Sequence, residues 1–129
     1  MNRLILSIMT LVSGSLFSCG QQNFKTVDAN EFETVISSDS IQLLDVRTAE
    51  EFNEAHIDAD SVINIDKLQP DFMTKARKIL KKDKPVAVYC RSGRRSADAA
   101  QLLAEEGYKV IDLDGGIIEW EKRGKKTCK

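Results

Sequence analysis

The chain holds a single histidine and only three cysteines among its 129 residues. Three cysteines do not make a disulfide framework. No Cys-x-x-Cys pair or histidine cluster offers zinc ligands, so neither a metal nor another cofactor is expected. A Cys–His catalytic pair is possible only through His56. The chain also lacks an excess of one charge: 19 Lys and Arg against 20 Asp and Glu leave a net charge of −1, and no global basic field suggests nucleic acid. Basic residues cluster only at Arg91, Arg94 and Arg95 and in a tail from Lys122 to Lys129, which reads as a solvated end. No internal repeat, low-complexity tract or second domain is visible, and the length suits one compact domain. The apolar stretch from Leu4 to Phe17 is too short and too interrupted for a stable membrane span.

That stretch reads instead as a targeting segment. Asn2-Arg3 forms a short basic start, and Leu4 to Phe17 has the length of a signal-peptide apolar region. It ends in Leu16-Phe17-Ser18-Cys19-Gly20, which resembles a bacterial lipobox, although Phe17 is bulkier than usual at its place. The resemblance implies lipidation of Cys19 and a membrane anchor, since each buried methylene contributes about 0.8 kcal/mol. The expected organisation is a lipoprotein-type signal peptide at 1–18, a polar tether at 19–23, one domain at 24–125 and a basic tail at 126–129. The expected location is the bacterial cell envelope, outside the cytoplasm.

Within the domain, short apolar runs alternate with helical patterns. Phe24 to Val27, Ile41 to Val46, Ser61 to Ile65, Pro85 to Cys90 and Lys109 to Leu113 read as strands. Asp28 with Glu31 three residues on signals a helix start, and Phe32, Val35 and Ile36 give that helix an apolar stripe. Thr48 with Glu51 repeats the signal, and Phe52 and Ala55 face inward. Pro70 to Leu80 and Ser96 to Glu106 carry apolar residues at helical spacing, the latter closed by Gly107. Gly115-Gly116 breaks the last strand before a terminal helix from Ile117 to Lys122. Such alternation predicts an α/β fold: a mainly parallel five-stranded sheet with helices on both faces. Ligands in such sheets bind beyond the carboxyl ends of the strands.

Cys90 stands at one of those ends. It is followed by Arg91-Ser92-Gly93-Arg94-Arg95-Ser96 and then a helix. Helix-start amides, a concave run of loop N–H groups and nearby arginines all favour negative charge, so a thiolate and an anion can both be stabilised there. Gly93 lets the backbone turn tightly and approach the sulfur. Ser92 and Ser96 can donate hydroxyl hydrogen bonds, and Ser96 fits equally as a helix N-cap. A cysteine phosphatase would need arginine six residues after the cysteine. Here that residue is Ser96, with Arg95 only five on, and Tyr89 replaces the histidine usual before such a cysteine.

These residues resemble the rhodanese (sulfurtransferase) family in its single-domain form. Leu44-Asp45-Val46-Arg47 with Glu51-Phe52, Ala55-His56-Ile57 with Asn64-Ile65, Val88 through Ser96, and Gly115-Gly116 with Trp120 match its motifs in order. The second stretch departs from the pattern: Ala55 stands where the family has Gly, and Asp58-Ala59-Asp60-Ser61 lengthens the connection. The resemblance implies that Cys90 accepts a sulfane sulfur as a persulfide and passes it to a thiol or cyanide. Arg91, Ser92, Gly93, Arg94, Arg95 and Ser96 would hold the small sulfur-containing anion, while Asp45 and Arg47 would brace the site; from their place at the close of the second strand, a structural salt bridge or turn cap is the plainer reading of that pair. His56 is expected to be structural, Trp120 and Phe52 core, and Cys128 a bystander. The protein is expected to act as a monomer. The other reading kept open is a membrane-tethered sulfur carrier with little turnover.

Overall fold

The computed structural model describes residues 23–129. The signal-like segment, Cys19 and all but the last residue of the tether lie outside the described residues. Among the described residues, seven strands run in chain order: β1 Lys25–Val27, β2 Gln42–Asp45, β3 His56–Ile57, β4 Ile63–Asn64, β5 Val86–Tyr89, β6 Val110–Leu113 and β7 Thr127–Cys128. Five helices join them: α1 Ala29–Ile36, α2 Ala49–Glu54, α3 Phe72–Ile79, α4 Arg94–Glu105 and α5 Gly116–Lys122. Five strands form one sheet in the order β1-β6-β5-β2-β4, and every neighbouring pair is parallel. The fold is therefore the α/β architecture that the alternating pattern predicts.

Side chains of a strand point alternately to the two faces, and β5 uses both. Val86, Val88 and Cys90 join Ala76 of α3 and Ala100 and Leu103 of α4 in one core. Ala87 and Tyr89 join Phe32 of α1 and Ile117 and Trp120 of α5 in the other. Phe32 sits edge-on to both Tyr89 and Trp120, which ties α1, β5 and α5 together. All strands of this sheet being parallel, the carboxyl ends of β2, β5 and β6 lie along one edge, with β5 at the centre.

The helix starts follow their caps. The Asp28 side chain accepts from the Glu31 N–H, and Thr48 and Glu51 form a reciprocal capping box. Two features differ from expectation. Helix α4 begins at Arg94, not Ser96, because Gly93 takes the left-handed conformation (φ 106°) and is itself the N-cap residue. Ser96 thus lies in the first turn and is not the N-cap. Residues 126–129, expected as a solvated tail, supply β7, which pairs antiparallel with β3 and sets Cys128 opposite His56.

Candidate functional site

Cys90 directly follows the central strand and is fully buried. Its sulfur accepts a hydrogen bond from the Gly93 N–H at 3.0 Å. The left-handed Gly93 folds residues 90–93 into a tight cup, from which α4 starts at once. The first-turn N–H groups of α4 have no intrahelical acceptors, and the dipole adds partial positive charge there. The cup is a place for negative charge on sulfur or on a ligand.

The back of the cup is held by α5. The Ile117 N–H donates to the Cys90 carbonyl at 2.9 Å, and the Ile118 N–H donates to the Arg91 carbonyl at 3.2 Å. This contact explains Gly116. A Cβ there would collide with the Arg91 carbonyl group and come within 2.7 Å of the Cys90 oxygen, at a φ of 62°. The pair Gly115-Gly116 therefore does more than end β6: it lets one backbone lie directly on another.

The residues of the loop occupy distinct places. Arg91, Ser92 and Arg94 are exposed. Arg95 reaches Glu51 of α2 with two hydrogen bonds, of 2.7 and 3.0 Å. That pairing holds the Glu51 carboxyl down at about 2, with the Thr48 N–H assisting against partial burial. Ser96 is fully buried, and its hydroxyl donates to the Gly93 carbonyl at 3.2 Å, so it secures the cup from beneath.

Asp45 and Arg47 form a buried pair at the end of β2. The guanidinium contacts both carboxylate oxygens, with Nη2 to Oδ2 at 2.6 Å, and also donates to the Ala55 carbonyl at 2.7 Å. Asn64 donates to the Asp45 and Arg47 carbonyls at 3.0 and 2.9 Å. Arg47 lies over the Tyr89 ring, whose hydroxyl accepts from the Ile57 N–H at 3.1 Å. Burial raises the Tyr89 phenol well above its ordinary value, so it stays neutral. The network joins β2, α2, β3, β4 and β5 beside the cysteine without presenting a free charge to a ligand.

His56 belongs to a separate cluster. Its ring stacks on Phe52 at 4.1 Å, Nδ1 lies 3.0 Å from the Phe52 carbonyl, and Nε2 lies 3.5 Å from the Cys128 sulfur. Phe52 is half-buried in this stack and not in the main core.

One participant escapes a reading of the motifs. Asp112, on β6, is 3 % exposed; Thr26 donates to its Oδ2 at 3.4 Å, and Oδ1 has no hydrogen-bond partner among the described residues. Burial pushes its carboxyl up to about 6, with neighbouring Ser96 and Thr26 pulling back. Its only signal in the sequence is an acid inside the apolar run from Val110 to Leu113.

A cavity of about 210 Å³ adjoins the loop at Arg91. A larger open depression, about 800 Å³, lies beside Trp120 and Asp60 and touches no residue of the Cys90 loop.

A buried cysteine whose sulfur accepts a backbone N–H, at the end of a central parallel strand and beside a helix start, is an arrangement that can hold a thiolate. Comparison with known proteins gives it a family. Residues 28–123 match the Rhodanese-like domain, and the chain belongs to that family. It is 34% identical over 101 residues to a thiosulfate sulfurtransferase, GlpE, of Shewanella oneidensis, covering 78% of this chain and 95% of that one. A protein named sulfurtransferase from Allochromatium vinosum is 34% identical over 93 residues, 71% and 82% of the two chains. Among solved structures, a rhodanese-related protein from Thermoplasma volcanium superposes with a TM-score of 0.70 at 30% identity, covering 81% and 98% of the two chains.

Proposed function

We propose that the protein moves a sulfane sulfur from thiosulfate or a persulfide donor to a thiol or cyanide acceptor, with Cys90 as the carrier. The observation that carries this reading is the 3.0 Å hydrogen bond from the Gly93 N–H to the Cys90 sulfur, in a cup opening from a helix start. In the first step the Cys90 thiolate attacks the sulfane sulfur of thiosulfate. The S–S bond breaks and sulfite leaves with its electron pair. In the second, the acceptor attacks the outer sulfur of the persulfide, and the electron pair of that bond returns to Cys90. This is covalent catalysis in two displacements, akin to thiol–disulfide exchange. The loop N–H groups and exposed Arg91 and Arg94 stabilise the anionic donor and the persulfide, while Arg95 contributes rigidity through Glu51.

The test is sulfite release from thiosulfate with cyanide as acceptor, for the wild type and Cys90→Ala. Turnover that depends on Cys90 supports the reading; turnover that survives Cys90→Ala overturns it. Export is a separate proposal, supported by Leu16, Ser18 and Cys19 in their lipobox-like order. Radiolabelled palmitate should enter the wild-type chain in bacteria and not Cys19→Ala; equal labelling would contradict a lipid on Cys19.

A further inference from the structure

The unpaired charge beside the Cys90 loop points to what takes the sulfur away. The 210 Å³ cavity lies against the loop: Arg91 lines it, one residue from Cys90, as do Ile117 and Ile118, which hold the loop carbonyls. Its charged residues fall into two groups. Arg47 and Glu51 are already committed to Asp45 and Arg95. Arg91, Glu54 and Glu121 are exposed and enter no ion pair among the described residues. The free charge around the cavity is thus one guanidinium next to Cys90 and two carboxylates on α2 and α5.

We propose that this cavity receives, as sulfur acceptor, a small thiol bearing a primary ammonium group. The inference rests on the sulfurtransferase reading above and names the acceptor class. The ammonium lies toward Glu54 and Glu121, and the thiolate lies toward Arg91 and the persulfide. An acceptor thiolate whose tail carries a second negative charge meets two free carboxylates against one guanidinium, a net repulsion. An acceptor with an uncharged tail gains nothing from the carboxylates. Ile117 and Ile118 give the short carbon chain an apolar wall. Cys90 is enclosed by its own loop, so the cavity holds the body of the acceptor. The acceptor thiol loses its proton to water, and its thiolate attacks the outer sulfur. The S–S bond breaks toward Cys90, and the acceptor leaves as a persulfide. No oxidant or reductant is required.

Three two-carbon thiols separate the charge from the chemistry: cysteamine, 2-mercaptoethanol and mercaptoacetate. With thiosulfate as donor, kcat/KM is measured for each, per thiolate present, in the wild type and in the Glu54→Gln/Glu121→Gln double variant. The wild type should favour cysteamine over 2-mercaptoethanol by about five-fold or more, with mercaptoacetate below both, and the double variant should bring the first two within roughly two-fold. Added salt should erode the wild-type preference. Because each ratio is taken within one protein, a change in folded fraction does not affect it. A cysteamine preference that is absent, or the same in the double variant, overturns the proposal. If the wild type turns over cyanide but shows no preference, only the acceptor class is wrong. If it turns over neither cyanide nor any thiol, the sulfurtransferase reading fails and this proposal with it.

Discussion

Single residues decide whether the cup exists. Gly116 is the sharpest case, because a methyl group there meets the backbone of the Cys90 loop and not a side chain that could move. Gly116→Ala should cost about 2–4 kcal/mol in urea denaturation, combining overpacking with backbone strain, and should displace the loop enough to depress turnover. Wild-type stability and activity in that variant would show that the close approach is not needed. Asp112 makes a prediction with a definite sign. Its folded carboxyl titrates near 6, above its ordinary value of 3.8, so the folded state holds this proton more tightly than the unfolded chain does. The contribution to stability is full below about pH 4 and is lost as pH rises through 6. Asp112→Asn should therefore gain on the wild type between pH 4 and 7, by up to about 3 kcal/mol. A pH-independent difference in thermal denaturation would contradict this account of Asp112.

Elements are locked together by two charge pairs of different kinds. Asp45–Arg47 is buried, and removing one partner strands the other. Asp45→Ala should cost about 3–5 kcal/mol, whereas replacing both residues with apolar ones should recover much of the loss. Equal losses in the single and double variants would contradict that reading. Glu51–Arg95 joins α2 to the first turn of α4 and is about three-quarters shielded. Glu51 titrates near 2 in the fold against an ordinary 4.5, so its contribution is full above pH 4.5 and is lost as pH falls toward 2. Glu51→Gln should lower stability by about 1 kcal/mol at pH 7 and leave it unchanged at pH 2, as read by thermal melts at each pH. A loss that persists at pH 2 would place the role of Glu51 outside its charge.

The whole molecule was legible in the sequence wherever a local pattern carried the information. The runs through Leu43-Leu44 and Val86 to Val88 marked buried parallel strands, and Asp28 and Thr48 marked helix starts by their spacing to Glu31 and Glu51. Asp45 and Arg47 could be paired because they stand two residues apart at one strand end. What escaped was set by contacts between distant segments. Glu51 and Arg95 are 44 residues apart, and nothing local joins them. The β3–β7 pair has two residues a side, too few for periodicity, and it drew residues 126–129 out of the expected tail. The start of α4 depended on the left-handed turn at Gly93, which moved Arg94 and Arg95 from loop to helix and put Ser96 beneath them. The Gly115-Gly116 pair was visible, but its reason, the backbone of Arg91, was not.

These scales converge on one atom, the sulfur of Cys90. The most direct test is the intact mass of the protein after incubation with thiosulfate and removal of excess donor, without any acceptor. The account predicts the wild type heavier by one sulfur atom, with that mass located on the peptide containing Cys90, lost on adding cyanide and absent in Cys90→Ser. An unchanged wild-type mass, or the same added sulfur in Cys90→Ser, would contradict it.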